Sequence, residues 1–189
     1  MRLYRFVLVL LLAVSRCLTA DPLDLMKKFY GEADALGVSG FNYEDQMARV
    51  RPFLSEDLNA HFTRAQKAVA LLLEKEQQEL AKLEAEGKRP IARKFVLGRL
   101  PPLTNSGEGR EYLGLGESSV SGGRAYVQVK MKLPGEDLTW TDLLVLHRTE
   151  AGWKIDDILF ESGDKEGFVK TLRHHLASSI EQANAPSGK

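Results

Sequence analysis

The spacing of apolar residues changes period once along this chain, and that change limits the fold more than any other feature. Over residues 21–86 they recur at intervals of three and four, and over 91–160 mostly at intervals of two. These are the periods of helices and strands respectively. The two kinds of segment are segregated along the chain. That excludes a parallel sheet built from strand–helix–strand units and leaves an α+β fold, with N-terminal helices packed on an antiparallel sheet and one helix after it. The clearest strand is Arg124–Leu133. Ala125, Val127, Val129, Met131 and Leu133 alternate there with Arg124, Tyr126, Gln128, Lys130 and Lys132, so one face is core and the other polar.

The helical half divides into three pieces. Leu23, Leu25, Met26, Phe29 and Tyr30 place a helix over Pro22–Leu36, with Asp21 as its cap and Pro22 at its first position. Gly37 to Gly40 break it, and a short helix follows over Tyr43–Phe53, ended or kinked at Arg51-Pro52. Ser55-Glu56-Asp57 opens a long helix, a capping hydroxyl followed by two acids at the positive end of the dipole. Leu58, Phe62, Ala65, Val69 and Leu72 form its buried stripe. Beyond Leu73 the helix is a charge-laced extension that Gly87 ends and Pro90 prevents from continuing.

The strand half follows a loop over 101–109. Tyr112–Ser121 is an irregular strand, Gly122-Gly123 a hairpin turn, and Pro134 to Asp137 a second turn. Leu138–Thr149 and Trp153–Phe160 are the remaining strands. In the last, strict alternation puts Trp153, Ile155 and Asp157 on one face and Asp156, Ile158 and Phe160 on the other. A terminal helix is expected over Lys165–Ala183, with Phe168, Leu172, Leu176 and Ile180 on one stripe, before a disordered tail.

Residues 1–20 differ from the rest. Arg2 and Arg5 precede the apolar run Phe6–Val14, and small or polar residues lead to Ala20. This is the order of a cleaved secretory signal peptide, cut after Ala20, and it places the chain in the periplasm or outside the cell. Nine apolar residues reach about 14 Å, half of the ~30 Å needed to span a bilayer core. Cys17, the one cysteine, follows Arg16 and leaves with the peptide. Lipidation at Cys17 would need a small residue before it.

The domain is then residues 21–183, with 184–189 as tail. Of the chain's 26 basic residues, Arg2, Arg5 and Arg16 also leave, so 26 less 3 gives 23 against 26 acidic residues. A net −3 excludes a general nucleic-acid binder. No disulfide framework or multi-cysteine zinc site is open to the chain.

The run Val145–Ile158, with Gly152-Trp153-Lys154-Ile155 after a tight turn, resembles the closing hairpin of the nuclear transport factor 2-like fold. The Phe29-Tyr30 helix, Leu54–Leu58 and Leu172-Arg173 extend the likeness. More narrowly, the chain is similar to a family of uncharacterised exported bacterial domains of this SnoaL-like kind, over residues 22–176. The resemblance implies a cone: a curved sheet around its helices, with a pocket between them. It does not imply one function, because that fold hosts isomerases, dehydratases, hydrolases and binding modules. It also implies that a homodimer through the outer sheet face is open to the chain, although Lys130 and Lys132 there argue mildly against it.

The candidate pocket residues are Tyr126, Trp140, Asp142, Trp153 and Asp157. Asp156 and Asp157, being adjacent on a strand, are expected on opposite faces and not at one centre. His147 and His61 carry no partner set. His174 and His175 lie about 100° apart on a helix and cannot chelate one ion, so no metal site is expected. No cofactor motif occurs: Gly114-Leu115-Gly116 lacks the helix that a phosphate loop needs. These residues support an exported, non-catalytic binding domain for a small apolar ligand or an envelope protein. The alternative is a cofactor-free isomerase, dehydratase or hydrolase that uses pocket carboxylates.

Overall fold

In a computed structural model the chain is described over residues 21–35, 44–88, 110–160 and 170–185. The segments expected as signal peptide, the 101–109 loop, Phe168 and most of the tail lie outside these residues. The helical half begins with α1 (Pro22–Ala35), whose first turn is capped by the Asp21 carboxylate accepting from Leu23 N–H at 2.9 Å. It continues with α2 (Glu44–Val50), a single 3-10 turn over Arg51–Phe53, and α3 (Glu56–Ala85). Ser55 Oγ caps α3 by accepting from Leu58 N–H at 3.1 Å. At about 1.5 Å per residue α3 is ~45 Å long. Only its first half carries buried residues, namely Leu58, Phe62, Ala65 and Val69.

Among the described residues five antiparallel strands follow in sequence order: β1 (Glu111–Ser121), β2 (Arg124–Lys132), β3 (Thr139–Thr149), β4 (Gly152–Phe160) and β5 (Lys170–Thr171). The fold is therefore α+β, with its helices against a curved antiparallel sheet. The inner face carries Ala125, Val127, Val129 and Met131 of β2, all without exposure, beneath Met26, Phe29 and Tyr30 of α1. The terminal helix, α4 (Leu172–Asn184), packs along α3 through Leu172, Leu176, Ser179 and Ala183. It starts later than the sequence spacing predicts. Lys170 and Thr171 are strand, paired with Phe160 and Leu159, and Thr171 Oγ1 caps the helix by accepting from His174 N–H at 3.1 Å.

The largest departure from simple alternation is in β4. Leu146 pairs with Ile155 and Val145 with Asp157, so Asp156 is an extra residue in a β-bulge. The bulge shifts the phase of the strand. Trp153 and Ile155 before it, and Ile158 and Phe160 after it, are all buried. The expectation that these apolar residues divide between two faces is thereby corrected: one face takes all four. The first strand is irregular as expected, with register shifts at Leu113 and again between Leu115 and Ser118.

Candidate functional site

Side chains paired across antiparallel strands lie on the same face, so register places each candidate. Asp142 pairs with Val129, and Trp140 with Met131, which in turn pairs with Tyr112. Asp142 and Trp140 therefore look inward with the core residues of β2. Asp142 has no exposure at all. The Trp140 indole N–H donates to its Oδ2 at 3.3 Å. Tyr112 stacks on Tyr30 of α1, ring centroids 4.9 Å apart and 1° from parallel, and the Arg110 guanidinium carbon lies 5.0 Å from the Tyr30 centroid. Tyr30, Tyr112, Trp140 and Asp142 thus form one aromatic and acidic corner on the inner face, with Arg110 at its border. This is the candidate site. Of the expected candidates it brings together Trp140 and Asp142, and it adds Tyr30, Tyr112 and Arg110, which the sequence reading did not single out as ligand residues.

The other three candidates lie elsewhere. Tyr126 pairs with Val145 and Ser119 on the outer face, so it cannot line an inner pocket. Trp153 is buried and faces inward, but it pairs with Arg148, whose guanidinium sits 5.6 Å from its ring centroid. Arg148 is eight residues along β3 from Trp140, about 27 Å at strand rise. The two tryptophans are therefore at opposite ends of the sheet.

Asp157 belongs to a second polar cluster, at the bulge. Its Oδ1 accepts from the backbone N–H of Ile158 at 2.8 Å and of Arg173 at 3.1 Å, so it caps the first turn of α4. Asp156 Oδ1 accepts from Ser55 Oγ at 2.8 Å and from Arg173 Nη2 at 2.7 Å, while Arg173 Nε donates to the Asp156 carbonyl at 2.8 Å. Arg173 Nη1 donates to Asp57 in the first turn of α3. The expectation that the paired aspartates cannot meet at one centre is corrected. The bulge turns both toward Arg173, through its guanidinium and its N–H. The hydrogen bond from Arg173, followed by its charge, holds the Asp57 carboxyl below its ordinary value. Burial pulls the Arg173 guanidinium down, and the Asp57 and Asp156 carboxylates outweigh it, so its net shift is upward. Every partner in this cluster is matched by another, which is the arrangement of a structural clasp.

The histidines do not converge. His61 lies 3.9 Å from Asp57, His175 packs on Phe160 at 5.7 Å, and His147 is exposed on β3. No group of three or more potential metal ligands occurs among the described residues. No helix among them is long and apolar enough to cross a membrane. Compared with known proteins, the chain matches no family model, no curated protein and no solved structure.

Proposed function

We propose that this protein is an exported, non-catalytic binding domain that holds a small amphipathic ligand at the Tyr30, Tyr112, Trp140 and Asp142 corner. Export rests on the charge, apolar and small-residue order of residues 1–20. The nuclear transport factor 2-like fold rests on the closing hairpin around Trp153 and on the segregation of helices from strands. The observation that carries the binding reading is the burial of Asp142. An ionised carboxylate withdrawn from water is penalised by several kcal/mol before its partners repay it. The inner face of β3 does not need one, since Leu144 and Leu146 fill the next equivalent positions with apolar side chains. A residue that breaks a local rule at such a cost marks a functional position. Aromatic walls with one convergent polar group are the usual construction of a small-molecule site.

The burial of Asp142 also favours a second reading, a cofactor-free isomerase, dehydratase or hydrolase with Asp142 as proton acceptor. The first experiment is native mass spectrometry of the mature protein purified from its own envelope fraction. A non-covalent adduct is expected on the wild type and not on Asp142→Asn, with the two variants sharing one circular dichroism spectrum. A wild type that flies as bare protein overturns the binding reading, as does an adduct that survives in Asp142→Asn. An adduct consumed on incubation, with a product released, selects the enzyme.

A further inference from the structure

We infer that the acidic outer half of α3 is a docking face, and that its occupant is residues 89–100 of the same chain. The face begins where the core ends. α4 starts beside the start of α3, where Arg173 meets Asp57, and packs along it. Its 13 residues reach about 20 Å, so it ends level with Val69, the last buried residue of α3. The line of burial does not end there. Leu72, Glu76 and Leu83 continue the spacing of Phe62, Ala65 and Val69, and all three are half-buried, whereas every other residue over 70–86 is exposed. One line of an otherwise solvated helix is thus covered for about 21 Å beyond the helix that covers its first half. The acids on and beside this line, Glu76 and Glu79, are both partnered.

Chain path and charge choose the occupant. Gly87, at φ +68°, closes α3 in a Schellman turn: its N–H donates to the Glu84 carbonyl at 3.0 Å, and that of Lys88 to the Leu83 carbonyl at 2.9 Å. The chain leaves the tip of α3 at Lys88 and re-enters the fold at Arg110, whose guanidinium lies over Tyr30 in the core. Residues 89–109 must therefore return from the tip. Twelve extended residues reach up to about 40 Å, enough for the ~22 Å of residues 71–85. The outer half over 70–86 carries five acids and two bases, a net −3. Residues 89–100 carry Arg89, Arg93, Lys94 and Arg99 and no acid, with the apolar run Phe95-Val96-Leu97 among them. A segment of opposite charge with its own apolar side chains is thus tethered to the face it fits, and the tether raises its effective concentration there. The other stretches outside the described domain residues fit less well: 161–169 has three acids and one base, and 36–43 has no charge. A second copy would bring one net −3 helix against another.

The test is zero-length carbodiimide cross-linking of the full chain, read by peptide mass spectrometry on an equal mixture of nitrogen-14 and nitrogen-15 protein. Lys94 is expected to join Glu76, Glu79 or Glu84 of its own chain, giving links of a single isotope. Hydrogen exchange is the second readout. In the wild type the amides over 73–84 are expected to be protected. The double substitution Arg93→Glu with Lys94→Glu is expected to speed their exchange at least about 5-fold and to leave residues 58–69 unchanged. If the double variant fails to fold, the wild-type cross-links decide the matter. The inference is overturned if Lys94 joins none of these glutamates, or if 73–84 exchange alike in the two proteins. Mixed-isotope links would assign the face to a second copy, and protection indifferent to the charge reversal would assign it to a separate partner. Either result overturns the inference.

Discussion

One side chain, that of Arg173, ties α3, β4 and α4 together, and its planar fork is what lets it do so. Separate nitrogens serve Asp57, the Asp156 carboxylate and the Asp156 carbonyl. Lysine has the charge without the fork. Arg173→Ala is therefore expected to destabilise the fold by about 1–3 kcal/mol in urea unfolding, and Arg173→Lys to recover less than half of that. Recovery to wild-type stability in the lysine variant would show that charge alone suffices. The role of Arg173 was invisible in the sequence, because its partners are 17 and 116 positions away. Asp142 was legible as a candidate and Tyr126 was misplaced, for related reasons. The alternation of β2 already put Tyr126 with Lys130 and Lys132 on the polar side, whereas the inward direction of Asp142 depends on its pairing with Val129. Tyr30 and Tyr112 look like ordinary core aromatics until they are seen stacked.

At the scale of elements, the first three helices, counting the 3-10 turn after α2, and the first three strands follow their apolar spacing to within one or two residues, whereas α4 begins only at Leu172, behind the two residues of β5. The β4 bulge also departs from it, since a period-two reading has no place for an extra residue. A signal was present nonetheless: buried apolar positions run odd at Trp153 and Ile155, then even at Ile158 and Phe160, and one inserted residue is what such a slip requires. Deleting Asp156 would remove the bulge and leave Trp153, Ile155, Ile158 and Phe160 in strict alternation, still on one face. That deletion is expected to keep a cooperative unfolding transition at a lower urea midpoint, because it removes the carboxylate that accepts from Ser55 and Arg173; a deletion variant without a cooperative transition would contradict this. The two halves of α3 differ in the same measurable way. Phe62→Ala, in the core, is expected to cost about 3–5 kcal/mol, and Leu80→Ala, 38% exposed on the outer half, less than about 0.5 kcal/mol.

For the molecule as a whole, the clasp makes stability depend on pH from the acid side. Asp57 is held below its ordinary 3.8 when folded, so the stability it adds is present above that value and fades as pH falls through the lower folded one. Urea midpoints of wild type and Asp57→Asn are expected to differ near neutrality and to converge below about pH 3. A gap that stays constant across that range would remove Asp57 from the account. The same clasp also dictates an order of events. Ser55 N–H donates to the carbonyl of Ile155, and its hydroxyl to Asp156, so the start of the longest helix is anchored about a hundred residues downstream. The apolar stripes of α1 and α3 have no sheet to close on until β2, β3 and β4 exist, and α4 cannot dock before Arg173 does. Closing so long a loop is slow, and it comes last. As the chain emerges from a ribosome, its first half therefore travels unlocked. Only the arrival of the C-terminal segment makes the fold cooperative.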